Sequence, residues 1–199
     1  WLMLVCMIMT ATTELGTQSW VERILGAAGA QPLLILAMVT GLMAVGRYFA
    51  GPLIHRLNIT GVLLASAVIS TLAIVLMRQA TGGMVYLAAV LFAVGVCYFW
   101  PNMISFVAVY LPKTGALGMS LIGGAGMVGV SIFQPIIGGW LDAEKAKASE
   151  AGLVGDAMEL AAGQATLDNI AVIPAILTIA FIVLFFVMRN KKAEGNAAH

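Results

Sequence analysis

The chain has 199 residues, of which 61% are apolar and 10% charged, with a formal net charge of +1 and a mean hydropathy of +1.01. Soluble domains run at about 45–50% apolar and about 25% charged, so this composition excludes an ordinary water-soluble domain. The near-zero charge gives no footing for nucleic acid, and the lipid bilayer is the solvent that suits the sequence.

Six apolar stretches follow one another, at about 1–20, 32–50, 59–77, 84–111, 115–141 and 170–188. The last four contain no Asp, Glu, Lys or Arg, and each has at least 19 residues. A helix needs about 20 to cross a hydrocarbon layer roughly 30 Å thick. Strands of a membrane barrel would be ~10-residue segments of alternating polarity, and the chain does not alternate. An all-α membrane protein with six transmembrane helices in one domain, 1–199, is therefore expected.

The first stretch opens inside an apolar run at Trp1, without a basic leader of the signal-peptide kind. Residues 1–13 alone are too short to span, which suggests that part of this helix lies upstream. Glu14 is the most informative residue. A carboxylate at membrane depth is expensive and faces a cavity or a partner. It is expected near the outer end of the helix, on one face with Thr10 and Gln18, as a site for solute or proton at a cavity mouth. The alternative is a carboxylate paired with Arg23 or a backbone group.

Arg47 lies toward the inner end of the second stretch. It can snorkel to the surface or tether a neighbouring helix through a carboxylate or a helix C-terminus, and a structural or gating role is favoured over solute contact. Gly51-Pro52 and His55-Arg56-Leu57-Asn58 read as the connection to the third stretch. The fourth stretch holds Tyr98-Phe99-Trp100-Pro101-Asn102. Pro101 should kink the helix, while Tyr98, Asn102 and Ser105 share a face that points to a hydrophilic cavity. Trp100 is a candidate for stacking on a solute or for plain packing. In the fifth stretch Gly123 and Gly124 suit close helix packing, as does the small-residue pair Ala125 and Gly129. Ser120, Gly124, Met127, Ser131 and Gln134 share a face, and Gln134 before Pro135 is a candidate ligand-contacting residue.

Residues 142–169 read as one long solvated loop, with room for a surface helix around 158–162. Lys and Arg set orientation. Six of the ten fall on one side: Arg47, Arg56, Lys113, Arg189, Lys191 and Lys192. That side is read as cytoplasmic, with the tail 189–199, which makes 142–169 extracytoplasmic and places the protein in the plasma (inner) membrane. Cys6 and Cys97 are isolated thiols in apolar runs, and His55 and His199 are lone, so neither a disulfide framework nor a metal site is expected. HExxH, GxSxG and P-loop signatures are absent from the sequence. The chain is read as a non-enzyme without cofactor.

The run Gly46 to Asn58, with Gly51, Leu53 and Arg56 in register, resembles the motif between the second and third helices of each half of a major facilitator superfamily transporter. His55 stands where that motif has Asp, and Asn58 where Gly is usual. Pro135 with Gly138-Gly139 resembles the end of the superfamily's fifth and eleventh helices. The stretch from Trp100-Pro101-Asn102 to Gly123-Gly124, with Glu14 and Trp20, is weakly similar to the fucose and glucose/galactose proton symporters. The resemblance implies the C-terminal six-helix half of a twelve-helix fold, partnered by a missing N-terminal half. It also implies a solute site near the midplane and alternating access coupled to a proton or sodium ion. Glu14, Gln18, Tyr98, Trp100, Asn102 and Gln134 would then meet a small polar solute, which the likeness to the sugar symporters implies to be a sugar. Arg47, Gly51, Arg56, Pro101, Gly123, Gly124 and Pro135 would serve gating or structure. A drug or metabolite efflux antiporter, and a non-transporting six-helix membrane protein, are the alternatives.

Overall fold

The computed structural model describes residues 1–29 and 31–188, with the side chains of Glu22, Arg23, Leu25 and His55 outside the description. The expected cytoplasmic tail, 189–199, and the expected role of Arg23 also lie outside the described residues. The described residues are helical, with no strand among them: α1 (Leu2–Ala11), a π turn (Thr12–Gly16), α2 (Thr17–Ala27), α3 (Pro32–Tyr48), α4 (Ala50–Met77), α5 (Met84–Val96), α6 (Phe99–Tyr110), a 3₁₀ turn (Pro112–Thr114), α7 (Gly115–Glu150) and α8 (Asp156–Met188). Four helical segments are long and apolar enough to cross a membrane: Arg56–Met77, Met84–Tyr110, Pro112–Glu150 and Asp156–Met188. α3 is apolar but has only 17 residues.

The elements differ from the sequence expectation where polarity and helix propensity disagree. The first helical run does not stop near Trp20 but continues to Ala27, which puts Glu14 at its middle instead of its outer end. The expected connection 51–58 is helical too. α4 starts at Ala50 and bends at Asn58, whose φ of 59° and ψ of 163° interrupt an otherwise regular helix. Asn tolerates positive φ better than most residues. The largest correction concerns 142–169. α7 runs through Asp142 to Glu150 and α8 begins at Asp156, leaving only a short turn at 151–155. The physical reason is that this segment is rich in Ala, Glu, Lys, Leu and Met, all strong helix formers; its charge ends the apolar stretch without ending the helix. Ion pairs Lys145–Glu159 (2.5 Å) and Lys147–Glu144 (2.6 Å) brace it. Gly152 and Gly155 take positive φ of 83° and 61° to turn the chain, a conformation that glycine adopts without steric cost.

Two close crossings set the packing. A Cβ on Gly95 of α5 would lie 2.6 Å from the backbone nitrogen of Ser70 in α4. On α7, a Cβ on Gly129 would lie 2.7 Å from Ile8, and one on Gly126 would lie 2.8 Å from Met7 and 3.0 Å from the Trp100 ring. Gly123 and Gly124, expected to pack closely, have open space around them. The stripe is shifted because α7 presents Gly126 and Gly129 to α1, while Gly124 faces outward.

Candidate functional site

Hydroxyls prepare the site. Thr12 Oγ1 donates to the Ile8 carbonyl at 2.8 Å and Thr13 Oγ1 to that of Met9 at 2.9 Å. Such back-bonding loosens a helix locally, and the π turn Thr12–Gly16 follows. π turns add a residue to the helix and recur at functional sites. Here the added residue carries Glu14 inward, where it is 2% exposed.

Opposite, the fourth apolar stretch is broken. α5 ends at Val96, α6 begins at Phe99, and Cys97-Tyr98 form the joint. Pro101 occupies the third position of α6, where a missing N–H leaves no helical bond unmade. The break therefore precedes the proline instead of occurring at it. Arg47 spans the gap. Its Nη2 donates to Glu14 Oε1 at 2.6 Å, and its Nε donates to the Cys97 carbonyl at 3.0 Å. The guanidinium thus holds both a carboxylate and the carbonyl end of α5, the tethering role that the sequence suggested for it. Two further bonds bind α3 to the joint: Cys97 Sγ donates to the Met43 carbonyl at 3.3 Å, and Tyr98 OH to that of Gly46 at 2.9 Å. The backbone N–H of Trp100, in the first turn of α6, also faces the Glu14 carboxylate.

The ion pair is lopsided. The Glu14 side chain is 3% exposed and that of Arg47 is 42% exposed. Glu14 Oε2 has no hydrogen-bond partner among the described residues, and neither has the buried hydroxyl of Thr17, one turn further on.

The other predicted residues are dispersed. Gln18 reaches Thr40 of α3 through a 3.4 Å bond. Gln134 accepts from Trp20 Nε1 at 2.8 Å and donates to Ser19 Oγ, so it ties α7 to α2. Trp100 packs its ring against Gly126. Asn102 does not face an open cavity: it is completely buried, and both amide atoms lack partners among the described residues. Tyr98 lines a recess of about 400 Å³ with Phe49, Pro52, Leu53 and Arg56. Arg56 is exposed and has no ion-pair partner among the described residues, Gly51 is exposed, and Pro135 lies within the continuous α7. Sequence reasoning missed Thr17, Thr40, Ser19 and the Cys97 carbonyl. The run of Thr at 10, 12, 13 and 17 was the available signal for the π turn.

The described residues contain no group of three or more His, Cys, Asp or Glu placed to hold a metal ion. No family model, no curated protein and no solved structure matches the chain.

Proposed function

We propose that this chain is the six-helix half of a secondary transporter of major facilitator type, which moves a small polar solute across the plasma membrane with proton or cation coupling. One observation carries the reading: a buried carboxylate and a half-exposed guanidinium meet where a π turn faces a broken helix. Ionisable groups at membrane depth mark solute and proton routes. Discontinuous helices are the elements from which transporters build their midplane sites. In this reading the run Leu2–Ala27 and α3 supply the two spans that are shorter or interrupted, the joint at Cys97-Tyr98 is a hinge, and a second six-helix half completes the path. The resemblance of Gly46 to Asn58 and of Pro135 to Gly139 to that superfamily supports the assignment, as does the basic side read as cytoplasmic.

Accumulation of labelled solutes by cells expressing the full-length protein, with and without a protonophore, tests it. Protonophore-sensitive accumulation of a solute is expected, with loss of that sensitivity in Glu14→Gln. Well-expressed protein that accumulates nothing, and whose Glu14→Gln variant behaves identically, would count against a transport role.

A further inference from the structure

Three features of the site bear on the class of solute. First, the groups expected to grip a sugar do not converge. Gln134 is occupied by Trp20 and Ser19, the Trp100 ring is against Gly126, and Asn102 is sealed in the core. Second, two accessible groups at the site are cationic. Arg47 makes two hydrogen bonds, through Nε and Nη2, which leaves its Nη1 edge without a partner among the described residues on a side chain 42% exposed. Arg56 lines the neighbouring recess of about 400 Å³ with Tyr98, whose chain neighbour Cys97 receives Arg47. Of the other acidic residues in the described stretch of chain, Glu22 belongs to α2 and the remaining six lie between Asp142 and Asp168, on the α7–α8 hairpin. A mouth of one sign raises the local concentration of the opposite ion. Third, the partner that Arg47 already holds is itself a carboxylate. The end of the Glu14 side chain is chemically a propionate, seated against a guanidinium and the first-turn N–H of α6, a setting that favours an anion.

We propose that the solute is a small carboxylate anion, bound at the free edge of Arg47, and that Glu14 is its built-in competitor. This rests on the transporter reading above and narrows it. Glu14 Oε2, the oxygen without a partner, takes up one proton. The carboxylate becomes a neutral acid, its ion pair with Arg47 ends, and the solute carboxylate takes its place on the guanidinium. Return of that proton to water restores the Glu14 carboxylate, which reclaims Arg47 and releases the solute. One proton then travels with one monoanion, so the cycle is electroneutral. The titratable or charged groups facing Glu14 are Arg47 from α3 and Cys97 at the joint; no second acid with a described side chain faces it.

The test uses the purified full-length protein in liposomes and radiolabelled propionate. An inward proton gradient should drive propionate entry well above the passive entry of propionic acid measured in protein-free liposomes, and an imposed membrane potential alone should not. Arg47→Gln should weaken propionate binding by about 30-fold or more, as for loss of one member of a desolvated charge pair. Glu14→Gln should keep binding while accumulation ceases to follow the gradient. Because Arg47→Gln can also harm folding, Glu14→Ala provides a second readout. It empties the competitor's place, so propionate should raise its melting temperature more than that of the parent protein, and neutral propionamide should not. Accumulation of a labelled neutral sugar with no uptake of, or competition by, propionate would overturn the anion assignment and leave the transporter reading standing. Equal protection of Glu14→Ala by propionate and propionamide would also overturn it.

Discussion

Arg47 and Glu14 form one pair, but losing one is not equivalent to losing the other. With Glu14 gone, the guanidinium still reaches water, because its side chain is 42% exposed. With Arg47 gone, a carboxylate that is 3% exposed loses its counter-ion and must either stay buried unpaired or take up a proton, and either costs stability. Leaving a buried charge unpaired costs about 3–5 kcal/mol, whereas a solvent-exposed pair contributes roughly 0–1 kcal/mol. Arg47→Gln should therefore destabilise by about 3 kcal/mol and Glu14→Gln by about 1 kcal/mol or less, with the double variant recovering most of the larger loss. Denaturant titration in detergent measures all three, and a larger loss from Glu14→Gln would contradict the asymmetry. Asn102 invites the opposite expectation. Its buried amide makes no hydrogen bond among the described residues, so Asn102→Leu should leave stability unchanged or raise it by about 1 kcal/mol. A loss would mean that a buried water satisfies the amide. At this scale the sequence disclosed which residue types were costly, and hence Glu14 and Arg47. It did not disclose the register between them, because a π turn at Thr12–Gly16 displaces every later face of the first helical run.

Helix contacts hinge on which glycines face a backbone. A Cβ on Gly95 would lie 2.6 and 2.8 Å from Ser70 backbone atoms, and a backbone cannot rotate away as a side chain does. Gly95→Ala should push α4 and α5 apart and cost about 1–3 kcal/mol, the usual penalty of overpacking. Gly124→Ala meets open space and should change stability by no more than about 0.5 kcal/mol, or gain slightly from better helix propensity. Parallel thermal melts in the same detergent compare the two; equal effects would refute the assignment of Gly95 as the tight crossing. Apolar length located the helices of the chain well, because four of the six stretches lie in membrane-length helices. It did not locate their ends. Charge at Asp142 stops an apolar stretch, yet Ala, Glu and Lys carry the helix on to Glu150. The joint at Cys97-Tyr98 was placed one turn too late for a related reason. Proline was taken as the break, although in the first turn of a helix it is an ordinary occupant.

The α7–α8 hairpin is too long for the membrane that its apolar segments demand. Its 36 and 33 residues correspond to about 54 and 50 Å of helix at ~1.5 Å per residue, against a hydrocarbon thickness of ~30 Å. Some 20 Å of each helix must stand outside, and polarity says which part. The segment from Asp142 to Asp168 holds six of the nine acidic residues and is braced by Lys145–Glu159 and by Arg78–Asp168 at 2.8 Å. Gly163 lies against Ile24 of α2, where a Cβ would come within 2.9 Å, so the projecting part is a packed three-element cap and not a free strand of chain. Its tip is the turn after Glu150, with Val154 80% exposed. The cap carries Arg78, Lys145 and Lys147, but on the reading of the sequence six of the ten Lys and Arg fall on the other side, and basic loops stay on the cytoplasmic side. The cap should therefore face outward. The two thiols of this stretch, Cys6 and Cys97, are buried, so they add little background to a thiol-labelling experiment. In intact cells, Val154→Cys should react with a membrane-impermeant maleimide, whereas Lys113→Cys should react only after permeabilisation. The reverse pattern would invert the orientation and put Arg56 and its recess on the outer surface. Labelling of both positions in intact cells would contradict a hairpin that crosses the bilayer between them.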